Sequence, residues 1–184
     1  REVKQFKNDV TLSEIYSIFA EEAKIDANTA KQLLDLEVST ETSILEQRKD
    51  VVKVARDIKR SGKRLIIVTD TYFEKNHIEH ILSSKGIDFY DAIFISSEIG
   101  MRKDRGDLWD YVLDREYVEK ERLLHVGDNE QSDIQVLLDR GFMHPIHVMK
   151  PSILFRQIPL GKILYNSLKP YNSWEQSVLF GMIS

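Results

Sequence analysis

With 184 residues, 42% hydrophobic and 30% charged, the chain has the size and composition of one soluble globular domain with room for a small appendage. Its net charge of −4 argues against nucleic-acid binding, and the absence of cysteine excludes disulfides, zinc-thiolate sites and thiol nucleophiles. No apolar run approaches the roughly 18 residues of a membrane span, and no signal peptide is visible, so we expect a cytoplasmic protein.

The chain begins with a helical region, which we assign to residues 1–62. The segment "TLSEIYSIFAEEAK" opens with the capping-box pattern Thr11-x-x-Glu14 and continues with apolar residues at helical spacing. A second helical stretch, "NTAKQLLDLEVSTETSILEQRKDVVKVARDIKRSG", stops at Gly62 and is long enough for two helices.

After Gly62 the pattern changes to short apolar strands that alternate with helices. The predicted strands are "RLIIVT", "AIFIS", "RLLHV" and "PIHVM". The helices between them are "EKNHIEHILSSKG", "DLWDYVLDRE" and "SDIQVLLDRG". This alternation predicts an α/β fold with a Rossmann-like, three-layer parallel sheet over residues 63–150. Residues 151–184 have helical spacing but no strand signal, and form either a helical extension or the start of a further domain.

Ligands of such sheets bind beyond the carboxyl ends of the strands, where this sequence has small, hydroxylic and acidic residues. Two acids, Asp128 and Asp133, follow Gly127 at one strand end. Mg²⁺ prefers oxygen ligands and keeps several waters, so one or two carboxylates are enough to hold it. The alternative is structural: Asp128 or Ser132 caps the next helix, and Asp133 favours its N-terminal dipole.

Two further residues have the chemistry of a phosphate site. Thr69 ends the first strand, where its hydroxyl and neighbouring backbone N–H groups can hold a phosphate oxygen. Lys103 lies in the loop "SSEIGMRKDRGDLW" and offers a movable positive charge. Considered singly, Thr69 is better explained as a turn residue and Lys103 as a solvated surface lysine. Ser96 and Ser97 follow the second strand and are weaker candidates.

The combination of a strand-terminal Thr69, Lys103 and Gly127-Asp128-x4-Asp133 resembles motifs two, three and four of the haloacid dehalogenase (HAD) superfamily. The flanking text "LIIVTDTYFEKNHIEHILSSKGI" and "LLHVGDNEQSDIQVLLDRGF" looks like the HAD-like modules of bacterial surface-polysaccharide proteins, which often share a polypeptide with a glycosyltransferase. The resemblance covers roughly residues 10–150, and it makes the helical region 1–62 the cap.

The resemblance implies a role for each residue that matches a motif. Thr69 would hold the transferring phosphoryl group, Lys103 would offset its charge, and Asp128 would bind Mg²⁺ with support from Asp133. The implied activity is a phosphohydrolase or phosphotransferase that acts through an aspartyl-phosphate on a small phosphorylated substrate, with a sugar phosphate as one candidate. Asp104 stands where the family often has a proline, which leaves the assignment of Lys103 intact.

The family's motif one, an apolar strand followed by Asp-x-Asp, is missing from this chain. "REVKQFKNDV" is not apolar enough, and Asp70 in "LIIVTDTY" lacks the second acid. We therefore expect the nucleophile upstream of Arg1, unless the protein has lost it.

Two other functions stay open. The first is a non-catalytic HAD-like module that scaffolds a glycosyltransferase, for which we expect no Mg²⁺-dependent hydrolysis. The second is a response-regulator-like receiver with Asp70 as phosphoacceptor. It ranks last, because a receiver wants its lysine after the last strand and Lys103 precedes the Gly127-Asp128 strand.

Overall fold

The computed structural model describes residues 9–168. It contains nine α-helices, four strands, one 3₁₀ turn (Lys120–Arg122) and one π-helical segment (Glu130–Gln135) in this range. The helices are α1 Leu12–Ala23, α2 Ala27–Ile44, α3 Lys49–Arg60, α4 Lys75–Ser84, α5 Ser96–Ile99, α6 Asp107–Glu116, α7 Val136–Asp139, α8 Pro151–Gln157 and α9 Pro159–Leu168. The strands are β1 Ile66–Thr69, β2 Ala92–Ile95, β3 Leu124–Gly127 and β4 His144–His147.

The start of α1 confirms the capping box. The Thr11 hydroxyl accepts the Glu14 backbone N–H at 3.2 Å, and the Glu14 carboxylate accepts the Thr11 N–H at 2.8 Å. Both N–H groups lie where a helix has no backbone partner for them, so the pair fixes where α1 begins. Just inside this cap, the Leu12 N–H donates to the Tyr72 carbonyl, which ties the first helix to the loop after β1.

The strands pair in parallel, as predicted, but they form two separate two-stranded sheets. β1 pairs with β2, with Thr69 opposite Ile95 at the carboxyl end. β3 pairs with β4, with Gly127 opposite His147. The sequence predicted one three-layer sheet, whereas the described strands show no hydrogen-bonded link between the two pairs. The α/β class and parallel pairing are therefore observed, and the continuous sheet is not.

The chain divides into two compact units, the first ending at Val118 and the second beginning at Glu119. Each unit has apolar side chains withdrawn from solvent. The first buries residues of β2 and α6: Phe94, Ile95, Leu108, Trp109 and Val112. The second buries Leu137 and Phe142. The predicted boundaries of the cap, core and extension, 1–62, 63–150 and 151–184, stay a prediction.

The last described elements, α8 and α9, are helical, and the predicted extension over residues 151–184 stays a prediction. Its remainder, with Trp174, lies outside the described residues. No helix within residues 9–168 combines the length and apolar character needed to cross a membrane.

Candidate functional site

The carboxyl end of β1 carries the first candidate residues. Thr69 is the last residue of the strand and is half-buried. Asp70 follows it, and both oxygens of its carboxylate lie within hydrogen-bond distance of the Lys103 backbone N–H, at 3.0 and 3.1 Å. This contact brings the loop that carries Lys103 to the strand end where Thr69 lies. Asp70, the residue directly after Thr69, thus holds the backbone of Lys103.

The serines after β2 have a structural role in this arrangement. Ser96 and Ser97 are completely buried. The Ser96 hydroxyl accepts the Thr71 N–H at 3.0 Å, and the Ser97 hydroxyl donates to the Phe73 carbonyl at 3.1 Å. They hold the loop after β1 in place. Because they are buried and hydrogen-bonded to backbone, they are poor candidates for phosphate binding.

The loop around Lys103 is compact and braced at its far end. The Arg102 N–H donates to the Asp107 carboxylate at 2.8 Å, and the Gly106 N–H donates to the Lys103 carbonyl at 3.0 Å. The Arg102 guanidinium donates to the Asp104 carboxylate at 3.0 and 3.1 Å. Asp104 therefore lies on the loop surface, and it is Asp70 that accepts the Lys103 backbone N–H.

Burial raises the pKa of the Asp70 carboxyl above its usual range, because removal from water disfavours the charged form. The Lys103 N–H and the charges of Lys103 and Arg102 act in the opposite direction and limit this increase, while Asp104 adds to it. The carboxyl is thus less readily ionised than an exposed aspartate.

In the second unit, Asp133 packs against Gly127 at the end of β3. A Cβ added at Gly127 would lie 2.4 Å from the Asp133 Cγ, closer than any real contact. Only glycine leaves room for this carboxylate. Asp133 is 3% exposed. Its carboxylate accepts the Asn129 N–H at 3.0 Å and contacts the His125 Nε2 at 3.1 Å.

Asp128 lies at the start of the loop that Asp133 braces. Its side chain belongs to an exposed residue, while its backbone carbonyl lies 3.2 Å from the His147 Nε2. The cap of the following π-helical segment is Asn129, whose side chain accepts the N–H groups of Gln131 and Ser132 at 3.0 and 3.1 Å. The structural alternative named Asp128 or Ser132 as the cap, so that assignment was wrong. Asp128 is left for another role.

The carboxylates of Asp128 and Asp133 have the chemistry of Mg²⁺ ligands, but they do not form a preformed metal site. No group of three or more histidine or acidic side chains with metal-binding geometry occurs within residues 9–168. Mg²⁺ does not require one, since it commonly takes one or two carboxylates and keeps its waters. The exposed carboxylate of Asp128 fits a direct ligand. Asp133, with both oxygens already hydrogen-bonded, fits an outer partner that orients the loop.

A separate feature is an open groove of about 790 Å³ between α1, α2 and the start of α4. Its lining mixes apolar side chains with hydroxyl, amide and charged groups, and the polar groups come from Ser13, Tyr16, Ser17, Glu21, Lys31, Asp35, Glu74, Asn76 and His77. Such a mixed lining can contact both the polar groups and the apolar surface of a ligand.

Sequence reasoning missed Asn129, His125 and the tie made by Asp70. Asn129 had a usable signal, since asparagine is a strong N-cap residue and a helix was predicted just after it. His125 lies eight residues from its partner Asp133, and Asp70 lies 33 residues from Lys103. Such pairings depend on how the chain folds back, and no local pattern marks them.

Comparisons with known proteins identify the family of this chain. The model of the haloacid dehalogenase-like hydrolase family matches residues 4–139, most of the chain. The protein belongs to this family. A HAD phosphatase from Thermococcus onnurineus is similar in structure, with a TM-score of 0.52 and 18% identity over 83% of this chain and 87% of that one. At this identity the similarity shows the fold alone.

A second solved structure, an uncharacterized protein from Listeria monocytogenes serotype 4b, gives a TM-score of 0.49 and 21% identity, covering 62% of this chain and 68% of that one. A search of curated proteins gives no match.

Proposed function

We propose that this member of the HAD-like hydrolase family is the phosphate-binding part of a Mg²⁺-dependent phosphohydrolase or phosphotransferase that acts on a phosphate monoester. The observation that carries the proposal is the tie between Asp70 and Lys103, which holds a lysine loop at the end of the strand that carries Thr69. A hydroxyl and an ammonium group at one strand end are suited to the oxygens of a phosphoryl group.

In this proposal Thr69 and Lys103 stabilise charge on the phosphoryl group. The Thr69 hydroxyl donates a hydrogen bond to one of its oxygens. The Lys103 ammonium neutralises the negative charge that crowds together when a carboxylate approaches a phosphate. Lys103 acts as a point charge here, so an arginine would not reproduce its geometry.

The proposal assigns Mg²⁺ to the second unit, with Asp128 as ligand and Asp133 as the residue that holds the Asp128 loop. The ion supplies charge neutralisation for the phosphoryl oxygens when it is bound. The packing of Asp133 against Gly127 supports this assignment, because it holds the strand end at which the Asp128 carboxylate is exposed.

The attacking group is assigned to an aspartate that precedes Arg1 in the full-length protein, where it would form an aspartyl-phosphate that water then cleaves. Asp70 is the only acid directly after β1, and its two oxygens face the Lys103 N–H. A carboxylate whose two oxygens are both engaged with a backbone N–H is less available for attack than a free one. This argues against Asp70 as attacking group and against the receiver alternative.

The test is phosphate release from a panel of phosphate monoesters by the protein expressed with its native upstream sequence. We expect activity that requires Mg²⁺ and is abolished by EDTA. Thr69→Val, Lys103→Ala and Asp128→Asn should each lower kcat/KM by about 100-fold or more, the size of effect seen when one charge-stabilising group is lost. Full turnover in Lys103→Ala or Asp128→Asn would disprove these roles.

Lys63→Ala is the matched control for Lys103→Ala, because it removes an exposed lysine of the same unit that lies before β1. It should retain wild-type kinetics. If Lys63→Ala and Lys103→Ala lower the rate equally, the effect reflects net charge and not a phosphate contact.

For the substrate, we propose that the groove of the cap region receives the part beyond the phosphate. Its hydroxyl, amide and carboxylate groups can pair with a polyhydroxylated compound such as a sugar phosphate. Asp35→Ala should then raise KM for the preferred sugar phosphate and leave a small aryl phosphate unaffected. Equal effects on both substrates would remove the groove from the proposal.

The association with a glycosyltransferase in the same polypeptide depends on the flanking-sequence resemblance alone and stays a prediction, as does the cytoplasmic location. A non-catalytic scaffold would show no Mg²⁺-dependent phosphate release at full length, so the assay above also separates the two functions.

A further inference from the structure

The bond between Asp70 and Lys103 is the feature from which a further role can be inferred. Asp70 accepts from a backbone N–H that lies 33 residues further along the chain, and both carboxylate oxygens share it at 3.0 and 3.1 Å. A bond to an ionised group is roughly twice as strong as one between neutral groups. A carboxylate that is half-buried beside a strand end therefore fixes this loop firmly.

Two further bonds of the loop act within the loop itself. The Arg102 N–H donates to Asp107, and the Gly106 N–H donates to the Lys103 carbonyl, both within a few residues. They fold residues 102–107 into a compact turn, but they do not locate that turn relative to β1. Asp70 joins the turn to the strand at the backbone of Lys103.

We propose that Asp70 is a positioning residue, whose carboxylate fixes the Lys103 backbone against the carboxyl end of β1 and so sets where the lysine ammonium can reach. The consequence for catalysis rests on the proposed function, whereas the tie itself does not. The ammonium group of a lysine lies at the end of a flexible four-carbon stem. The positions that it can reach are therefore set by where the lysine backbone is held. Displacement by about 1 Å can lower a rate 100-fold.

The charges that face Asp70 come from the same loop. Lys103 and Arg102 favour the ionised carboxylate, and Asp104 disfavours it. Asp104 is exposed and bonded to the Arg102 guanidinium, without a bond to the Lys103 backbone. Asp104→Asn is therefore a matched control that removes a neighbouring carboxylate and keeps the tie.

The first experiment follows the Lys103 amide proton of the 184-residue chain by NMR as pH is lowered. In the wild type we expect its chemical shift to follow one titration, with a midpoint above the ordinary range of aspartate, as Asp70 takes up a proton. Asp104→Asn should retain the titration, and Asp70→Asn should abolish it. A Lys103 amide that does not titrate, or that still titrates in Asp70→Asn, would overturn the tie.

The second experiment measures kinetics in the protein with its native upstream sequence. Asp70→Ala should lower kcat by about 10- to 100-fold, because the lysine loop is no longer held. Asp70→Asn should recover most of this loss, since its side-chain carbonyl still accepts the Lys103 N–H. If Asp70→Asn is as inactive as Asp70→Ala, the carboxylate acts chemically and the positioning role is wrong. Absence of turnover in the wild type would overturn the proposed function, while the amide titration still decides the tie.

Discussion

At the ends of β1 and β3 an acidic side chain holds a loop in place, but the two contacts span different separations along the sequence. In the first unit, Asp70 holds a loop that lies 33 residues away, and the Ser96 hydroxyl holds a loop 25 residues away. In the second unit, Asp133 accepts from Asn129, four residues away, and contacts His125, eight residues away. In both cases an acid braces the loop that presents a candidate functional side chain.

The difference matters for how each strand end responds to change. A local brace forms as soon as its own strand and turn form, since closing a short loop costs little chain entropy. A long-range tie exists only when the unit around it is folded. We therefore expect the Asp133 brace to depend mainly on its own strand and turn, and the Asp70 tie to depend on the packing of the whole first unit.

The largest expected effect tests whether the second unit has a core of its own. Leu137 is 0% exposed, and Leu137→Ala should lower the free energy of unfolding by roughly 2–5 kcal/mol through lost burial and the cavity left behind. The adjacent Leu138 is 50% exposed, so Leu138→Ala should change it by less than about 0.5 kcal/mol. Urea unfolding followed by circular dichroism measures both. Equal losses would mean that Leu137 is not a core residue.

The next effect concerns the local brace itself. Asp133→Ala removes the acceptor of the Asn129 N–H and the partner of His125, and should cost roughly 3 kcal/mol because part-buried polar groups are left unpaired. Asp139→Ala is the control. Asp139 also accepts a hydrogen bond, from the Gln135 amide, but it is exposed and should cost less than about 1 kcal/mol. A cost for Asp133→Ala no greater than that of the control would show that the loop does not depend on the brace.

A smaller effect is expected from Gly127→Ala, because the new methyl group would meet Asp133 while the rest of the strand is unchanged. Crowding of this kind costs about 2 kcal/mol. Gly86→Ala gives the comparison, since its added Cβ meets nothing within 4 Å and only the positive φ of 69° opposes it. If Gly127→Ala unfolds at the same urea concentration as the wild type, the close packing of Asp133 is not needed for stability.

These contrasts also explain what the sequence could predict. The helix Asp107–Glu116 and the capping box of α1 were predicted correctly, because both follow from residues next to one another. The split into two sheets and the tie between Asp70 and Lys103 were not, because they depend on which strand edges and loops meet in space.

The choice of helix cap shows a further limit. Asp128, Asn129 and Ser132 are all good N-cap residues, and sequence alone does not separate them. The observed hydrogen bonds identify the cap. The Asn129 side chain accepts the N–H groups of Gln131 and Ser132, and the buried carboxylate of Asp133 accepts the N–H of Asn129 itself. Asp128 is thereby left exposed. Family resemblance had assigned it the metal role, and the local hydrogen bonds are compatible with that role.

The smallest expected effect comes from another long-range tie of the first unit. The Tyr16 hydroxyl donates to the Glu37 carboxylate at 2.7 Å and joins α1 to α2. This hydrogen bond, with lesser contributions from burial and the Glu37 charge, raises the pKa of Tyr16 from 10.0 to about 12. Because the folded state holds the proton more tightly than the unfolded state, the tie contributes stability below pH 10.0, and this contribution is lost as pH rises through about 12.

Ultraviolet titration of tyrosinate, compared with Tyr16→Phe, isolates this group. Glu37→Ala should bring the Tyr16 pKa back towards its ordinary value, because it removes the acceptor of the hydrogen bond together with the charge that opposes ionisation. An unchanged Tyr16 titration in Glu37→Ala would mean that α1 and α2 are not joined by this bond. Contacts other than this hydrogen bond would then hold α1 and α2 together.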